Sequence, residues 1–256
     1  MHPHAPWALA FAVLPWRESE KAAAWDRLAQ GEALFLPPDV EALWARRAKY
    51  EVPGARLLLP GDPEADRLCA PLPYPVALWV QGTVPPPSPA VGIVGARRAS
   101  AAGLKQAHAF GKALTEAGVA VVSGLARGID AAAHLGALEA GPTWAVLGSG
   151  LHHLYPPEHG PLADRTLAAG GGLLTPFPPE ADPKPWHFPR RNLLLAAWVE
   201  AVLVVEAEVR SGSLVTAQLA LDLGKELWVV PGSEGPDALL AEGAAHAAHR
   251  PADLLG

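Results

Sequence analysis

From residue 90 onward, short apolar runs alternate with stretches of helical periodicity, and this alternation leaves few folds open. Residues 91–95 (VGIVG), 119–123, 143–147, 171–175, 201–206 and 226–230 read as strands with little polar character on either face. Between them, 99–117, 129–140, 161–169, 190–198 and 213–223 read as helices. Strands apolar on both faces must be covered on both, which parallel sheets achieve with crossover helices. Right-handed crossovers then make an α/β, doubly wound, Rossmann-like, mostly parallel sheet the expected fold.

Residues 1–70 read differently. Ala22, Ala23, Ala24, Trp25 and Leu28, then Val40, Leu43 and Trp44, form apolar stripes near helical spacing, so a small helical domain is expected there. Pro37-Pro38 separates the two patterns, and Asp39 is a candidate N-cap. Arg46, Arg47 and Lys49 read as a solvated face. From 71 to 89 the chain is proline-dense, with an apolar edge-strand candidate at 76–80 and a stiff Pro-Pro-Pro-Ser-Pro connector at 85–89. The second domain is therefore set at 71–256.

Composition narrows the function. With 20 Lys plus Arg against 26 Asp plus Glu, the net charge is −6, which excludes a protein that coats nucleic acid by bulk positive charge. A local basic groove stays open, because screening confines each field to ~8 Å at physiological salt. Cys69 is the single cysteine, so no internal disulfide or paired-cysteine metal site is expected, and a reducing cytoplasm fits. The apolar stretch near the start has no Lys or Arg ahead of it, so it does not read as a signal peptide. The longest apolar run, LLLAAWVEAVLVV, is broken by Glu200, so no membrane span is expected. The 28 prolines and scarcity of Met, Cys and Asn suit a heat-resistant chain, which makes the lone Asn192 conspicuous.

In a doubly wound sheet, ligands bind beyond the carboxyl ends of the strands. The loops there share a chemistry: Gly95-Ala96-Arg97-Arg98-Ala99-Ser100, then Ser123-Gly124-Leu125-Ala126-Arg127-Gly128, then Gly148-Ser149-Gly150, then Arg210-Ser211-Gly212-Ser213. Glycine lets a ligand approach the backbone, helix N-termini offer unpaired N–H groups, and arginine adds a bidentate fork for phosphate. A set carrying Arg97, Arg127 and Arg210 reads as an anion-binding edge. Trp186-His187-Phe188-Pro189-Arg190-Arg191-Asn192 adds aromatics beside two arginines, the pairing that single-stranded nucleic acid favours. Within it, Trp186 reads as an anchor to the core, whereas Arg191 and Asn192 read as functional.

Other chemistries fit poorly. Gly92-Ile93-Val94-Gly95-Ala96-Arg97 lacks the glycine spacing of a dinucleotide fingerprint, and there is no phosphate-binding P-loop motif. Asp130 reads as a cap and His134 as a packing histidine. His152, His153 and His159 lack the cysteine or carboxylate company of a metal site. Ser149 is not flanked as a nucleophile elbow. Glu206 reads as an acceptor organising the Arg210–Ser213 loop.

VGIVGARRAS, VVSGLARGIDAAAH, WAVLGSGLHHLYP, FPRRN, VVEAEVRSGSLVTAQLAL and VVPG occur in the order found in the DNA-processing protein A (DprA/Smf) family, which the chain resembles over about residues 72 to 245. The resemblance implies an extended Rossmann fold, single-stranded DNA binding without sequence preference, loading of the RecA recombinase in natural transformation, homodimers, and no catalysis, cofactor or metal. Carried over, it places Gly95 and Arg97, Ser123 and Gly124, Arg127 and Gly128, Phe188, Arg190, Arg191 and Asn192, and Arg210, Ser211, Gly212 and Ser213 on DNA. It also makes the N-terminal region similar to a sterile-alpha-motif-like domain. Leu193 stands where the family has a further arginine, for which Arg190 is the candidate substitute. No C-terminal winged-helix pattern is read. The alternative is a Rossmann-like enzyme acting on a nucleoside monophosphate, although Pro231-Gly232-Ser233-Glu234-Gly235-Pro236-Asp237 lacks the threonine and spaced glutamate of such enzymes. A further reading gives 224–256, with Leu239, Leu240, Leu254 and Leu255, to dimerisation and recombinase contact.

Overall fold

The computed structural model describes residues 2–14, 18–30, 38–72, 74–86 and 89–255. Its strands are β1 (Ala55–Leu58), β2 (Leu78–Gly82), β3 (Ala90–Val94), β4 (Ala120–Ser123), β5 (Thr143–Val146), β6 (Gly172–Thr175), β7 (Ala201–Val204), β8 (Glu226–Val229) and β9 (His246–Ala247). The helices are α1 (Ala5–Val13), α2 (Glu18–Ala29), α3 (Pro38–Ala45), α4 (Pro63–Cys69), α5 (Ala101–Glu116), α6 (Ile129–Ala137), α7 (Gly160–Ala168), α8 (His187–Trp198), α9 (Gly212–Asp222) and α10 (Glu234–Ala241).

The strands form one sheet in the order β1-β2-β6-β5-β4-β3-β7-β8-β9. β3 to β9 run parallel, whereas β2 lies antiparallel to β6 and β1 antiparallel to β2. The fold is thus the expected doubly wound, mostly parallel sheet. From β3 the chain winds outward through β4, β5 and β6, then returns to lay β7 on the other side of β3. That reversal makes a crevice beyond the carboxyl ends of β3 and β7, the place where open α/β sheets take ligands.

Alternation along β3 sorts the core. Val91 and Ile93 pack with Phe110 and Leu114 of α5 and Ile129 and Ala133 of α6. Ala90 and Val94 face the opposite layer, with Leu194, Leu195 and Trp198 of α8. α5 and α6 touch backbone to backbone, because a Cβ at Gly111 would strike the Ala133 carbonyl and one at Gly136 the His108 carbonyl.

The reading of residues 1–70 as helical needs a correction. Helices α1 to α4 form, but Ala55–Leu58 pairs with β2 and caps the sheet. The 76–80 run, expected at an edge, accordingly lies one strand inside it. The adjacent Leu57 and Leu58 are too short an apolar signal to separate a four-residue strand from a loop. Trp7, Phe11 and Val40 share a hydrophobic cluster with Leu78, Val94 and Leu194, so the N-terminal segment is fused to the main core. Asp39 lies in the first turn of α3 rather than before it. Pro37, and Pro87 and Ser88 of the expected connector, lie outside the described residues. Short C-terminal elements, α10 and β9, were not legible as periodic runs.

Candidate functional site

A cleft of about 410 Å³ opens at the β3/β7 crevice. The β3 loop lines it with Gly95, Ala96, Arg97 and Arg98, and the β7 loop with Glu208, Ser211, Gly212 and Ser213. The first two turns of α8 add Phe188, Arg191 and Asn192. A contiguous recess is lined by Gly124, Ala126, Arg127, Tyr155, Pro156 and Phe188, together with Arg97 and Arg191.

Each wall has a local cause. Ser100 caps α5, its hydroxyl accepting from Gly103 N–H at 3.0 Å. Glu206 braces this turn: it accepts from Ser100 Oγ at 2.6 Å and from Ser100 N–H at 3.0 Å, while its own carbonyl takes the Ala96 N–H. Glu206 therefore organises the β3 loop, not the Arg210–Ser213 loop assigned to it from sequence; adjacency in the sheet outweighs adjacency in the chain. At the start of α9, Asn192 Nδ2 donates to the Gly212 carbonyl at 3.3 Å, and the Ser211 and Ser213 hydroxyls meet at 2.8 Å.

The β4 loop is held from inside. Asp130 Oδ2 accepts from Gly124 N–H at 3.1 Å and Ala126 N–H at 3.3 Å. Arg191 is buried behind it, donating from Nη1 to the carbonyls of Gly124 and Val146 and from Nε to Asn192 Oδ1. Burial pushes the Asp130 carboxyl up, opposed chiefly by the Arg191 charge. Burial likewise pulls the Arg191 guanidinium down, opposed by Asp130. The pair is an internal bracket for the loop, with its outer edge reaching the cleft.

Cations and rings interleave at the surface. The Arg97 guanidinium sits 5.0 Å from the Phe188 ring centroid, and Arg127 lies 5.8 Å from that of Tyr155. Tyr155 and Phe188 are 5.9 Å apart, centroid to centroid. Arg97 is exposed and forms no ion pair among the described residues. Arg127 is exposed but paired, its Nε 2.5 Å from Glu158 Oε1.

Of the residues expected from sequence, Gly95, Arg97, Gly124, Arg127, Phe188, Arg191, Asn192, Ser211, Gly212 and Ser213 come together here. Four do not line it. Ser123 is fully buried, and its hydroxyl donates to the Ile93 carbonyl at 2.5 Å, crosslinking β3 and β4. Gly128 is a backbone requirement: its φ is +76°, and a Cβ would strike the Ala96 carbonyl. Arg190 turns away, donating to the Phe11 carbonyl at 3.2 Å and lying over the Tyr74 and Phe177 rings, so it does not replace the arginine missing at Leu193. Neighbours on a helix point about 100° apart, which sends Arg190 and Arg191 to different layers. Arg210 is exposed outside the cleft lining.

Trp186, expected to anchor its loop, is instead 66% exposed, and His187 stacks on Phe177 at 3.9 Å in its place. His152 and His153 pair with Glu180, whereas His159 turns to the Leu125 carbonyl. Tyr155, Arg98, Glu208 and Val215 also line the cleft and its recess, although no DNA contact was expected of them individually. Glu208 and Val215 stand inside VVEAEVRSGSLVTAQLAL and Tyr155 inside WAVLGSGLHHLYP, and Arg98 in the β3 loop, but none was singled out within those segments.

The model of the family described as DNA recombination-mediator protein A matches residues 62–256. The chain is similar to Protein Smf of Escherichia coli, 43% identical over 197 residues, covering 73% of this chain and 53% of that protein. It is similar to the DNA processing protein DprA of Bacillus subtilis, 41% identical over 161 residues, covering 60% of this chain and 54% of that one. The chain thus spans about half the length of the curated relatives it matches. Among solved structures, DNA processing protein A of Streptococcus pneumoniae superposes with a TM-score of 0.74 at 28% identity, covering 91% of each chain. That of Helicobacter pylori, studied for its single-stranded DNA binding mode, gives 0.69 at 26% identity, covering 78% of this chain and 94% of that one.

Proposed function

Because the chain belongs to the DNA recombination-mediator protein A family, we propose that it binds single-stranded DNA without sequence preference in the β3/β7 cleft. Phosphates lie against the α9 N-terminus, with Ser211 and Ser213 donating and Arg97 and Arg127 supplying charge. Phe188 and Tyr155 offer ring faces to bases, which all share a π-face and so impose no sequence. The observation that carries this reading is the interleaving of Arg97 and Arg127 with Phe188 and Tyr155 on one rim of an acidic chain. The Helicobacter pylori relative's binding of single-stranded DNA supports it.

The finer reading is that the bound strand is passed to the RecA recombinase by a homodimer in the cytoplasm, with no covalent chemistry. Residues 71–256 are the DNA-binding unit in this reading, and β1 from the N-terminal segment extends its sheet. The test is a titration of labelled oligothymidylate at several salt concentrations. Affinity falls with salt at a slope near −0.7 per neutralised phosphate. Arg97→Ala weakens binding to all homopolymers alike; unchanged affinity and slope in that variant would sink the reading. Release of free base from nucleoside monophosphates would favour the enzyme alternative instead.

A further inference from the structure

Trp186 is the most exposed large hydrophobic side chain among the described residues, at 66%. Its exposure is not a by-product of anchoring. His187 ties the loop down, stacked on Phe177 at 3.9 Å and with Nδ1 3.2 Å from the Gly148 carbonyl. Trp186 meets His187 only edge-on, at 5.9 Å and 85°. The Lys184 ammonium stands 5.3 Å from the indole centroid. Folding leaves most of this ring in water, so burying it against a partner is a stabilisation still available to binding.

We propose that Trp186 and Lys184 form a base-stacking station for single-stranded DNA just outside the cleft, a step that rests on the cleft reading above. The indole face receives a base, and the ammonium, a point charge on a flexible stem, moves from the ring to the neighbouring phosphate. Continuity selects this occupant: Trp186 immediately precedes the first turn of α8 in helical conformation, and Pro189, three residues on and so on the same face, lines the cleft. The surroundings argue against a protein partner. A protein interface has a broad apolar centre, whereas Trp186 is the single large exposed hydrophobic of its segment, with the Lys184 ammonium over its ring and only two prolines beside it.

The experiment measures binding of an oligothymidylate and of the same backbone carrying abasic residues, using wild type, Trp186→Ala, Trp186→Phe and Arg97→Ala. Trp186→Ala weakens the intact strand by about five- to a hundredfold, leaves the abasic strand unchanged, and keeps the wild-type melting temperature. Trp186→Phe restores most of the loss. Arg97→Ala weakens both strands. Equal affinity of Trp186→Ala and wild type for the intact strand overturns the station, as does an equal loss on both strands. Wild type that binds neither strand removes the cleft reading, and the station with it.

Discussion

The Arg191 guanidinium donates from Nη1 to the Gly124 carbonyl, and the same nitrogen reaches the Val146 carbonyl at 2.6 Å. One buried side chain on α8 thus joins the loop after β4 to the end of β5, with Asp130 neutralising it from α6. A cation here shapes the cleft floor from inside, whereas Arg97 and Arg127 stand exposed at its surface.

Removing that cation takes away the main charge opposing the burial of Asp130, leaving it the Gly124 and Ala126 N–H bonds, and strips the Gly124 and Val146 carbonyls of their donor. Arg191→Ala is expected to lose about 3–5 kcal/mol of stability, lowering the melting temperature by roughly 6–20 °C for a chain of this size. Arg191→Lys recovers little, because an ammonium cannot reproduce the planar fork. Thermal unfolding followed by circular dichroism checks both. A melting temperature within a degree or two of wild type in Arg191→Ala would contradict the bracket.

The Arg127–Glu158 pair makes a prediction of opposite signs. Glu158 holds the guanidinium in the free protein, so an incoming phosphate must displace a carboxylate. Both side chains are exposed, and solvent screens the pair enough for exchange. Arg127→Ala is expected to weaken oligothymidylate binding, and Glu158→Gln to strengthen it severalfold at low salt, with the difference shrinking as salt rises. Fluorescence anisotropy at two ionic strengths reads this. Weaker binding by Glu158→Gln would mean that the carboxylate positions Arg127 rather than competing for it.

How far the sequence carried depended on the kind of signal. Strands such as β3 and β7 are apolar runs with no other reading, and the glycine–serine–arginine loops sit at their carboxyl ends because the fold leaves no other place. Cleft residues within those loops were therefore legible. Direction was not. Arg190 and Arg191 are adjacent and chemically identical, yet one contacts Phe11 and the other Gly124, a choice made by the helix phase and by packing against α1. Glu206 was recognisable as an acceptor, but its donor, Ser100, lies 106 positions away. Trp186 misled because aromatics are usually anchors, and His187 beside it took that role.

Gly128 tests the backbone of the site. With φ at +76° and the Ala96 carbonyl where a side chain would start, Gly128→Ala must move the β3 loop or distort the turn into α6. A residue forced into such a region costs about 1–3 kcal/mol. The urea midpoint should drop accordingly, and oligothymidylate affinity should drop with it, since Arg97 rides on the displaced loop. A midpoint equal to wild type would show that the turn relaxes freely.

His134 ties stability to pH. Its Nδ1 lies 2.8 Å from Thr143 Oγ1, whose own hydrogen goes to the Val121 carbonyl, so Nδ1 carries the proton and donates. Nε2 is then a bare acceptor, buried and without a partner among the described residues. Charging the ring would place an N–H⁺ in that dry site, and burial first, with His159 and Arg191 adding to it, depresses the pKa from 6.5 to about 3. Between those values the unfolded chain binds a proton that the folded chain refuses, so stability rises with pH across the window and is lost as pH falls below 6.5. The slope from this one group approaches 1.4 kcal/mol per pH unit, or about 3 kcal/mol lost by pH 4. His134→Leu removes the titration while Thr143 keeps its bond to Val121. Urea midpoints at pH 7 and pH 4.5 should converge in the variant relative to wild type; the same acid sensitivity in both proteins would assign it to other groups.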